Sequence, residues 1–381
     1  MNNSDIKILL LDAANQNTLA ILRHLGRKGY TVDVCGYQKM SLALFSKYSR
    51  NKFVISEPQA NEAGFISDIT RILSTEKYTL LMPVGFKSYK VCAKYQDEIR
   101  KYTNIVITSN ENIGLASDKR RTNDFAETVG VPVPKTFALK SKTELEGLSL
   151  SFPCVIKGPF EAGKNIVEYA NNHDELRSKF NAMCTKNNFV EPDLPIVQEY
   201  ITGDGYGLFA YYDNGNCKRI FMHHRLREYP VTGGASVCAE SFRDDKLKLY
   251  GTKMLDALKW NGVAMVEFKK SNADGEYKLM EINPKFWGSL QLALESGAEF
   301  DELLINKVTG VEIPYSEEYK ATTFQWIING EFFHAIERPS AIPKIIATMF
   351  RSKKDILFRD PMPHLFQFAN IFTHYYKKLK G

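Results

Sequence analysis

The chain has 381 residues, of which 44% are hydrophobic and 25% are charged, and its formal net charge is +6. A chain of this length can bury the cores of roughly two or three domains, and this charge is too small to indicate nucleic-acid binding. Its six scattered cysteines contain no Cys-x-x-Cys pair, which argues against zinc and disulfides and favours the reducing cytoplasm. The first apolar run is too short for a signal peptide, and no run reaches the roughly 18 residues of a membrane span.

Residues 6–110 alternate between strand patterns and helix patterns. KILLLDA and YTVDVCG are apolar strand patterns, and NTLAILRHLGRKG between them has the spacing of an amphipathic helix. Strands that alternate with helices predict a parallel sheet. The first turn, DAANQNT, lacks the glycines of a dinucleotide site, so NAD is not expected, although Asp33 follows about where a ribose-binding acid would stand.

From residue 111 the patterns predict a mixed α+β region. SDKRRTNDFAETVG is a capped helix that ends in glycine, and the prolines of VPVPKTFAL force an extended path. FPCVIKGPF and LPIVQEYI are buried strands, and a hairpin turns at Asn214 and Gly215. This region is therefore not a second parallel-sheet half.

The loop GPFEAGKN, residues 158–165, has the glycine and lysine spacing of a phosphate loop. A true phosphate loop continues with Ser or Thr and a helix, whereas here Asn165 and the strand-like NIVEYA follow. Gly158 and Gly163 instead fit a mobile flap whose N–H groups close over phosphates. Lys157, at the end of the preceding strand, and Lys119 are either two fixed positive charges for the same phosphates or ordinary surface ammonium groups.

A hairpin near residue 274 carries two carboxylates. VAMVEFKK (263–270) and YKLMEINP (277–284) alternate apolar and polar residues around an Asp-Gly turn, which predicts two antiparallel strands. If the hairpin folds about Asp274, Glu267 and Glu281 lie directly opposite each other. Their Cβ atoms are then about 4.5–5.5 Å apart, at which distance like charges repel.

The period of two residues along a strand places Asn283 on the same face as Glu281. The same alternation predicts that Val263, Met265 and Leu279 share this face, so little water screens the carboxylates. A set of Glu, Glu and Asn oxygens suits Mg²⁺, which commonly completes its ligands with water and substrate phosphates. The hairpin therefore predicts phosphate chemistry.

A simpler interpretation of this hairpin is also open. Alternating charged residues on strands most often form a solvated face, on which Glu267 and Glu281 would merely pair with lysines. Lys269 and Lys285 are the nearest candidates in the sequence.

Five segments in one order together resemble the ATP-grasp superfamily, and within it the carbamoyl-phosphate-synthase-like carboxylate–amine ligases. They are Lys119 before its helix, VIKGPFEAGKN, VQEYITGDGYG, VEFKK and MEINPKFWGSLQLALESG. The resemblance spans about 115–300, and residues 1–110 are similar to the domain that precedes it in this superfamily. The fold class it implies is α/β and α+β, with a Rossmann-like parallel-sheet domain, a two-lobed ATP-grasp fold and a helical C-terminal extension. The implied ranges are 1–112, 113–312 with a small lobe at about 130–200, and 313–381.

The resemblance also implies ATP and Mg²⁺ as cofactors, with Mn²⁺ as an alternative ion, and it assigns the ligands. The metal ligands are Glu267, Glu281 and Asn283. The phosphate-binding residues are Lys119, Lys157 and the flap with Gly158 and Gly163. The adenine hinge is Gln198, Glu199, Tyr200 and Ile201, and the ribose-binding acid is Asp204.

The implied reaction is phosphorylation of a carboxylate to an acylphosphate that an amine then attacks. The superfamily most often has arginine after Asn-Pro, where this chain has Lys285, so a two-pronged grip on the carboxylate is in doubt. Arg225 and Arg227 are predicted to compensate. Thr232, Gly233 and Gly234 are predicted to form a backbone cradle for the carboxylate. His223 and His224 are interpreted as strand packing, and Phe286 and Trp287 as core or pocket wall without a chemical role.

The expected partners are a small-molecule carboxylate and an amine, such as an amino acid or a sugar or cell-envelope precursor, and a homodimer is plausible. Alternatives are phosphorylation without ligation and a non-catalytic nucleotide-binding protein. In residues 313–381, two amphipathic, aromatic segments carry basic residues. They predict a helical cap on the core or, alternatively, weak association with an anionic membrane surface. The basic residues are Arg351, Lys353, Lys354, Lys377, Lys378 and Lys380.

Overall fold

The computed structural model describes residues 2–161, 166–369 and 371. The predictions for Gly163, the rest of the flap at 162–165, Lys377, Lys378 and Lys380 lie outside these residues. Within the described residues the strands form three sheets, and the predicted fold class is confirmed.

The first sheet is parallel, in the order β3-β2-β1-β4-β5. Its middle strand β1 alternates between two cores: Ile8 and Leu10 pack on one side and Leu9 packs on the other, as a parallel sheet covered on both faces requires. Asp33 accepts hydrogen bonds from Arg50 and Tyr78, which accounts for this acid without a nucleotide. The elements are β1 (Lys7–Leu10), α1 (Gln16–Arg27), β2 (Thr31–Gly36), β3 (Lys52–Val54), α2 (Glu62–Thr75), β4 (Leu80–Met82), α3 (Phe86–Lys94), α4 (Gln96–Ile99) and β5 (Asn104–Ile105).

The second sheet is small and antiparallel, in the order β6-β9-β7-β8. Helix α7 covers one face and buries Leu176 and Phe180 against it. The segment after the flap forms β8, as predicted, so the loop before it is not followed by the helix of a phosphate loop. The elements from the first sheet onward are α5 (Asn110–Ser117), α6 (Lys119–Thr128), β6 (Thr136–Ala138), β7 (Cys154–Lys157), β8 (Val167–Ala170), α7 (His173–Asn187) and β9 (Ile196–Glu199).

The third and largest sheet has the order β14-β13-β10-β11-β12-β15-β16. One face packs on α8 through Leu208 and Leu247, and the other shares a core with α1, α9 and α10. The large sheet is thereby joined to the first sheet by continuous apolar packing. Its elements are β10 (Gly203–Asp213), β11 (Asn216–Tyr229), β12 (Ala235–Ser241), α8 (Asp245–Ala257), β13 (Gly262–Ser271), β14 (Tyr277–Asn283), α9 (Leu290–Glu295), α10 (Phe300–Thr309), β15 (Thr323–Gln325) and β16 (Lys353–Lys354).

The C-terminal extension contains the predicted helices but is not purely helical. Strands β15 and β16 add to the edge of the large sheet through β12, so this segment completes a sheet rather than only capping one. The helices are α11 (Phe332–Glu337), α12 (Ile342–Met349) and a helix over residues 362–369.

Candidate active site

A cavity of about 280 Å³ lies between the small sheet and the large sheet. Its volume is close to the lower end of the range for small-molecule sites. The structure brings most of the predicted site residues to this one cavity. Those that line it are Lys119, Lys157, Gln198, Glu199, Tyr200, Ile201, Arg225, Gly233, Gly234, Glu267, Glu281, Asn283 and Lys285.

The hairpin of β13 and β14 forms the acidic wall of the cavity. Glu267 pairs with Glu281, and Met265 pairs with Asn283, so the predicted register is confirmed at the site. Closer to the hairpin turn, Phe268 pairs with Leu279. Met280 therefore has no pairing partner and is the extra residue of a β-bulge. The bulge reverses the alternation, so the prediction that Leu279 shares the glutamate face is wrong.

The two glutamates differ in their partners. A guanidinium nitrogen of Arg225 lies 2.6 Å from the carboxylate of Glu267, whereas the side-chain amide of Asn283 donates to Glu281 at 2.7 Å. Lys285 donates to the side-chain oxygen of Asn283 at 2.9 Å. The partner of Glu267 is thus an arginine from β11, which lies beyond β10 in the sheet, and not one of the lysines that the simpler interpretation required.

Burial favours the neutral form of both glutamates, but their different partners shift the two pKa values in opposite directions. Burial raises the pKa of Glu267, Arg225 opposes that effect, and the charge of Glu281 adds to it. For Glu281, burial also favours the neutral form, but Lys119 and Asn283 hold its pKa below the usual value. Glu281 is therefore the more readily ionised of the two facing carboxyl groups.

This wall fits a hard divalent cation. Two carboxylates and an amide oxygen are oxygen ligands of the kind that Mg²⁺ prefers, and a cation between them would relieve the repulsion that raises the pKa of Glu267. The described residues contain no cluster of three or more His, Cys, Asp or Glu side chains suited to a metal ion. A cation held by Glu267, Glu281 and Asn283 would therefore need further ligands from water or phosphate, as is usual for Mg²⁺.

Two lysines face the acidic wall from the opposite side. Lys157, at the end of β7, donates to the side-chain oxygen of Gln198 at 2.7 Å. Burial and the charge of Lys119 lower the pKa of Lys157 to about 8. Lys119 begins α6, whose N-cap is Asp118, and its N–H donates to the carbonyl of Pro159 beside the flap. Both lysines line the cavity, and they are therefore not ordinary surface ammonium groups.

The predicted hinge runs along the end of β9. The side chain of Gln198 also donates to Thr136 at 2.8 Å, so this glutamine ties the cavity lysine to strand β6. Lys269, which the sequence interpretation treated as a surface residue, donates to the carbonyl of Ile201 at 3.3 Å. The hinge is thereby fixed to both sheets.

The structure corrects the prediction for Asp204. Along β10, Gly203, Gly205 and Gly207 fall on the glutamate face, because Gly207 pairs with Glu267. Asp204 lies on the other face, where its carboxylate is 3.3 Å from His224 and its side chain is 70% exposed. Asp204 is not among the described residues that line the cavity.

Gly205 makes room for the arginine that contacts Glu267. A Cβ atom at position 205 would lie 2.8 Å from Cδ of Arg225, which is closer than two carbon atoms can approach without a shift. A side chain here would displace Arg225 from the cavity. The glycines of TGDGYG therefore have a steric role that the sequence interpretation did not anticipate.

The prediction for Arg227 is also corrected. Strand β11 has two irregularities in its pairing with β12, between Arg225 and Glu228. Consequently Glu228, and not Arg227, joins Arg225 at the cavity. Arg227 is buried elsewhere and donates through Nε to Glu331 at 2.9 Å, which anchors the C-terminal extension.

The predicted backbone cradle lines the cavity, but its glycine N–H groups already have acceptors. Gly233 donates to the carbonyl of Pro230, and Gly234 donates to the carboxylate of Glu228 at 3.0 Å. The carbonyl of Thr232 accepts a hydrogen bond from Tyr169 at 2.9 Å. The segment therefore connects β8 to the large sheet instead of offering free donors from these two glycines.

The interpretation of the histidines and aromatic residues as packing agrees with the structure. His223 is buried with Nδ1 3.2 Å from the hydroxyl of Ser289, and His224 stacks on Tyr206. Phe286 and Trp287 are both buried. Sequence reasoning missed Glu228 and Met280 as cavity residues because each owes its position to an irregular pairing, which alternation does not reveal.

No family profile matches the chain as a whole or in part. The carbamoyl phosphate synthase large chain of Neisseria meningitidis serogroup B is 24% identical over 340 residues, covering 80% of this chain and 31% of that protein. The chain thus spans about a third of that relative. The D-aspartate ligase of Enterococcus faecium is 26% identical over 249 residues, covering 58% of this chain and 57% of the ligase.

Among solved structures, a biotin carboxylase complex with β,γ-ATP from Campylobacter jejuni superposes with a TM-score of 0.69 at 17% identity. The match covers 84% of this chain and 75% of the carboxylase. At this identity the likeness concerns the fold, and that fold is the one which the five sequence segments predicted. The sequence relatives and the shared fold agree with the resemblance to ATP-grasp proteins that the five segments carry.

Proposed function

We propose that the chain is an ATP-dependent carboxylate–amine ligase that forms an amide and converts ATP to ADP and phosphate. One observation carries the proposal: a single cavity joins the acidic wall of Glu267, Glu281 and Asn283 to two half-buried lysines and a hinge segment. The names of the similar D-aspartate ligase and of the ATP complex with the same fold support it.

The first step would form a bond between a carboxylate oxygen and the γ-phosphorus, and break the bond from that phosphorus to ADP. Lys119 and Lys157 are placed to neutralise the phosphates by fixed charge, which is the main protein contribution to phosphoryl transfer. When bound, Mg²⁺ supplies further positive charge to the phosphate oxygens. In the second step the amine nitrogen would attack the acyl carbon, phosphate would leave and the amine would lose a proton.

The end of the cavity opposite the hinge suits the acceptor molecules. Arg225 and Lys285 supply positive charge for a carboxylate. Glu228 supplies negative charge for an ammonium group: one of its oxygens accepts from Gly234, and the cavity is open to this side chain. An amino acid or a sugar or cell-envelope precursor with these groups is the proposed substrate class.

A cytoplasmic location belongs to the same proposal, because the reaction consumes ATP and the six cysteines are free thiols. A homodimer also remains a prediction. The cavity does not require residues of a second chain, so it gives no evidence for dimerisation.

The proposal is tested by an ADP-release screen of amino acids and of uronic and N-acetylated sugars, offered singly and in pairs with Mg²⁺ or Mn²⁺. Release that requires both a carboxylate and an amine, with an amide in the product, is the expected result. Release with a single acceptor would instead indicate a kinase. Nucleotide binding without turnover in every combination would point to a non-catalytic nucleotide-binding protein.

A further inference from the structure

The C-terminal extension exposes an unusual amount of apolar side chain. Of the twenty large apolar side chains that are exposed within the described residues, nine lie between positions 332 and 368. Phe350 is 86% exposed and Phe358 is 89% exposed. Single exposed apolar residues are normal, but a concentration of them marks an interaction surface.

The exposed apolar residues follow the helices in stripes. Helix α12 buries Ile345 and exposes Ile342 and Ile346, whose spacing of four residues places them on one side of the helix. The helix over 362–369 repeats this arrangement.

In the helix over 362–369, Met362, Leu365 and Phe368 are exposed, while His364 and Gln367 are buried. In both helices the buried side packs inward on the protein. The outward side is apolar and has no partner within the described residues.

Charges in this segment are separated by sign. The acids Glu331, Asp355 and Asp360 are 2%, 7% and 1% exposed and are bonded inward, for example Asp360 to Arg23 at 2.8 Å. Glu337 is the one exposed acid between 331 and 369, and it accepts a hydrogen bond from the N–H of Val231.

The basic residues of the segment point outward, towards solvent. Five of them are exposed, and none forms an ion pair with a described residue. They are Arg338, Lys344, Arg351, Lys353 and Arg359. The outer side of residues 332–368, which we call the C-terminal surface, is therefore apolar and cationic at the same time.

This combination selects the partner. Protein–protein interfaces are enriched in arginine but depleted of lysine, whereas a membrane interface accepts aromatic and aliphatic side chains together with both lysines and arginines, which reach the phosphates of anionic lipids. Within the described residues no helix is both long enough and apolar enough to cross a bilayer. We propose that the C-terminal surface docks the protein on an anionic membrane surface. The proposal does not depend on the ligase activity.

The fold holds this surface in place. Arg227 with Glu331 and Arg23 with Asp360 are buried ion pairs that fix the extension to the large sheet and to α1. The apolar stripes are thus presented by a packed platform, and binding would not require the segment to fold first.

Co-sedimentation of the full chain with vesicles tests the proposal. At low salt we expect sedimentation with an equal mixture of phosphatidylcholine and phosphatidylglycerol, and little with phosphatidylcholine alone. Each basic residue near an anionic surface contributes about a fivefold gain in binding. The variant Lys344→Gln, Arg351→Gln, Lys353→Gln should therefore bind at least about tenfold more weakly. Phe350→Ser with Phe358→Ser should weaken binding comparably.

Matched controls separate this surface from general charge and hydrophobicity. Lys39→Gln, Lys52→Gln and Lys77→Gln remove three exposed lysines of the first domain, and they should leave vesicle binding nearly unchanged. Val190→Ser with Leu249→Ser, at side chains that are 69% and 51% exposed, serves the same purpose for apolar contacts. Thermal unfolding of each variant shows that it is folded.

Two results would overturn the proposal. One is the absence of sedimentation with anionic vesicles at low salt. The other is a wild-type dimer that Phe350→Ser with Phe358→Ser converts to a monomer without any change in vesicle binding, because the surface would then face a second copy. Neither result bears on ADP release, so the ligase proposal would be unaffected.

Discussion

The guanidinium of Arg225 lies 2.6 Å from the carboxylate of Glu267, directly across from Glu281 on the next strand. This contact offsets only part of the cost of burying Glu267, because its pKa is still raised. A cation bound between the two glutamates would favour the ionised form of Glu267, which burial and the charge of Glu281 oppose.

Replacing Glu281 by Gln should abolish ADP release, by at least about a hundredfold, since a preorganised charge at the reacting phosphate is commonly worth this much. The fold should persist because the amide is isosteric. Thermal unfolding and ADP release measure the two effects. Glu276→Gln, at the turn of the same hairpin and outside the cavity, is the control. If the Glu281 variant kept wild-type turnover, the metal assignment would fail.

Lys285 tests whether a cation is needed at the position that follows Asn-Pro. Arg should preserve activity better than Met, because Arg keeps the charge that faces the acceptor carboxylate and Met does not. Steady-state kinetics with a saturating carboxylate and amine compare the two variants. The reverse order would remove Lys285 from the mechanism.

Arg225 and Arg227 should separate into a functional and a structural residue. Arg227→Gln leaves Glu331 buried without its charged partner, with Gln325 still donating to it, which costs about 3–5 kcal/mol of stability, but at low temperature the folded fraction should keep its kcat. Arg225→Gln should instead lower kcat/KM.

A double variant provides the check for that pair. Adding Glu331→Gln to Arg227→Gln removes the uncompensated charge and should recover part of the stability in urea unfolding. No recovery would mean that Arg227 stabilises the protein through something other than this ion pair.

Lys157 should make ATP binding depend on pH. Its pKa is lowered to about 8 by burial and by Lys119, so the side chain is cationic below that pH and loses its charge above it. KM for ATP should therefore be constant below about 8 and rise at higher pH. In Lys157→Arg the guanidinium stays protonated, and the rise should disappear. An identical rise in both proteins would exclude Lys157 as the titrating group.

His24 should make stability depend on pH through the packing of α1 on α10. Burial opposes its protonation, but Asp301 at 2.7 Å and Glu299 at 3.4 Å raise its pKa to about 9. A raised pKa adds stability that is complete below the unfolded value of about 6.5 and is lost as pH rises towards 9, an effect of about 3 kcal/mol.

The difference in unfolding free energy between wild type and His24→Gln measures this contribution. We expect the difference to be largest near neutral pH and below, and to shrink as pH rises through 9. A difference that stays constant over this range would show that His24 stabilises the fold by packing alone.

Most of what could be predicted from the sequence followed from the regular alternation of apolar and polar residues. The parallel sheet, the facing glutamates and the strand that ends at Lys157 all follow from regular periodicity, which depends only on backbone geometry. The resemblance to ATP-grasp proteins then added the hinge, for which residues 198–201 have no distinctive local pattern.

The errors came where periodicity is interrupted. Leu279 and Arg227 were placed on the wrong faces because each follows or lies within an irregular pairing, and the position of a bulge depends on partner strands that are distant in sequence. The prediction that Asp204 binds ribose was wrong for a different reason. Its spacing after the hinge was taken from the resemblance, whereas β10 places glycines on the glutamate face.

The extra residue at Met280 has a consequence for comparing this hairpin with those of similar proteins. Between the turn and Met280, odd-numbered residues such as Leu279 face away from the cavity. From Glu281 onward, odd-numbered residues face the cavity. An ungapped alignment with a hairpin that lacks the additional residue would match one half correctly and exchange inside for outside in the other. Deleting Met280 alone would make Leu279 and Glu281 direct neighbours on a regular strand, in which they would keep their present opposite faces.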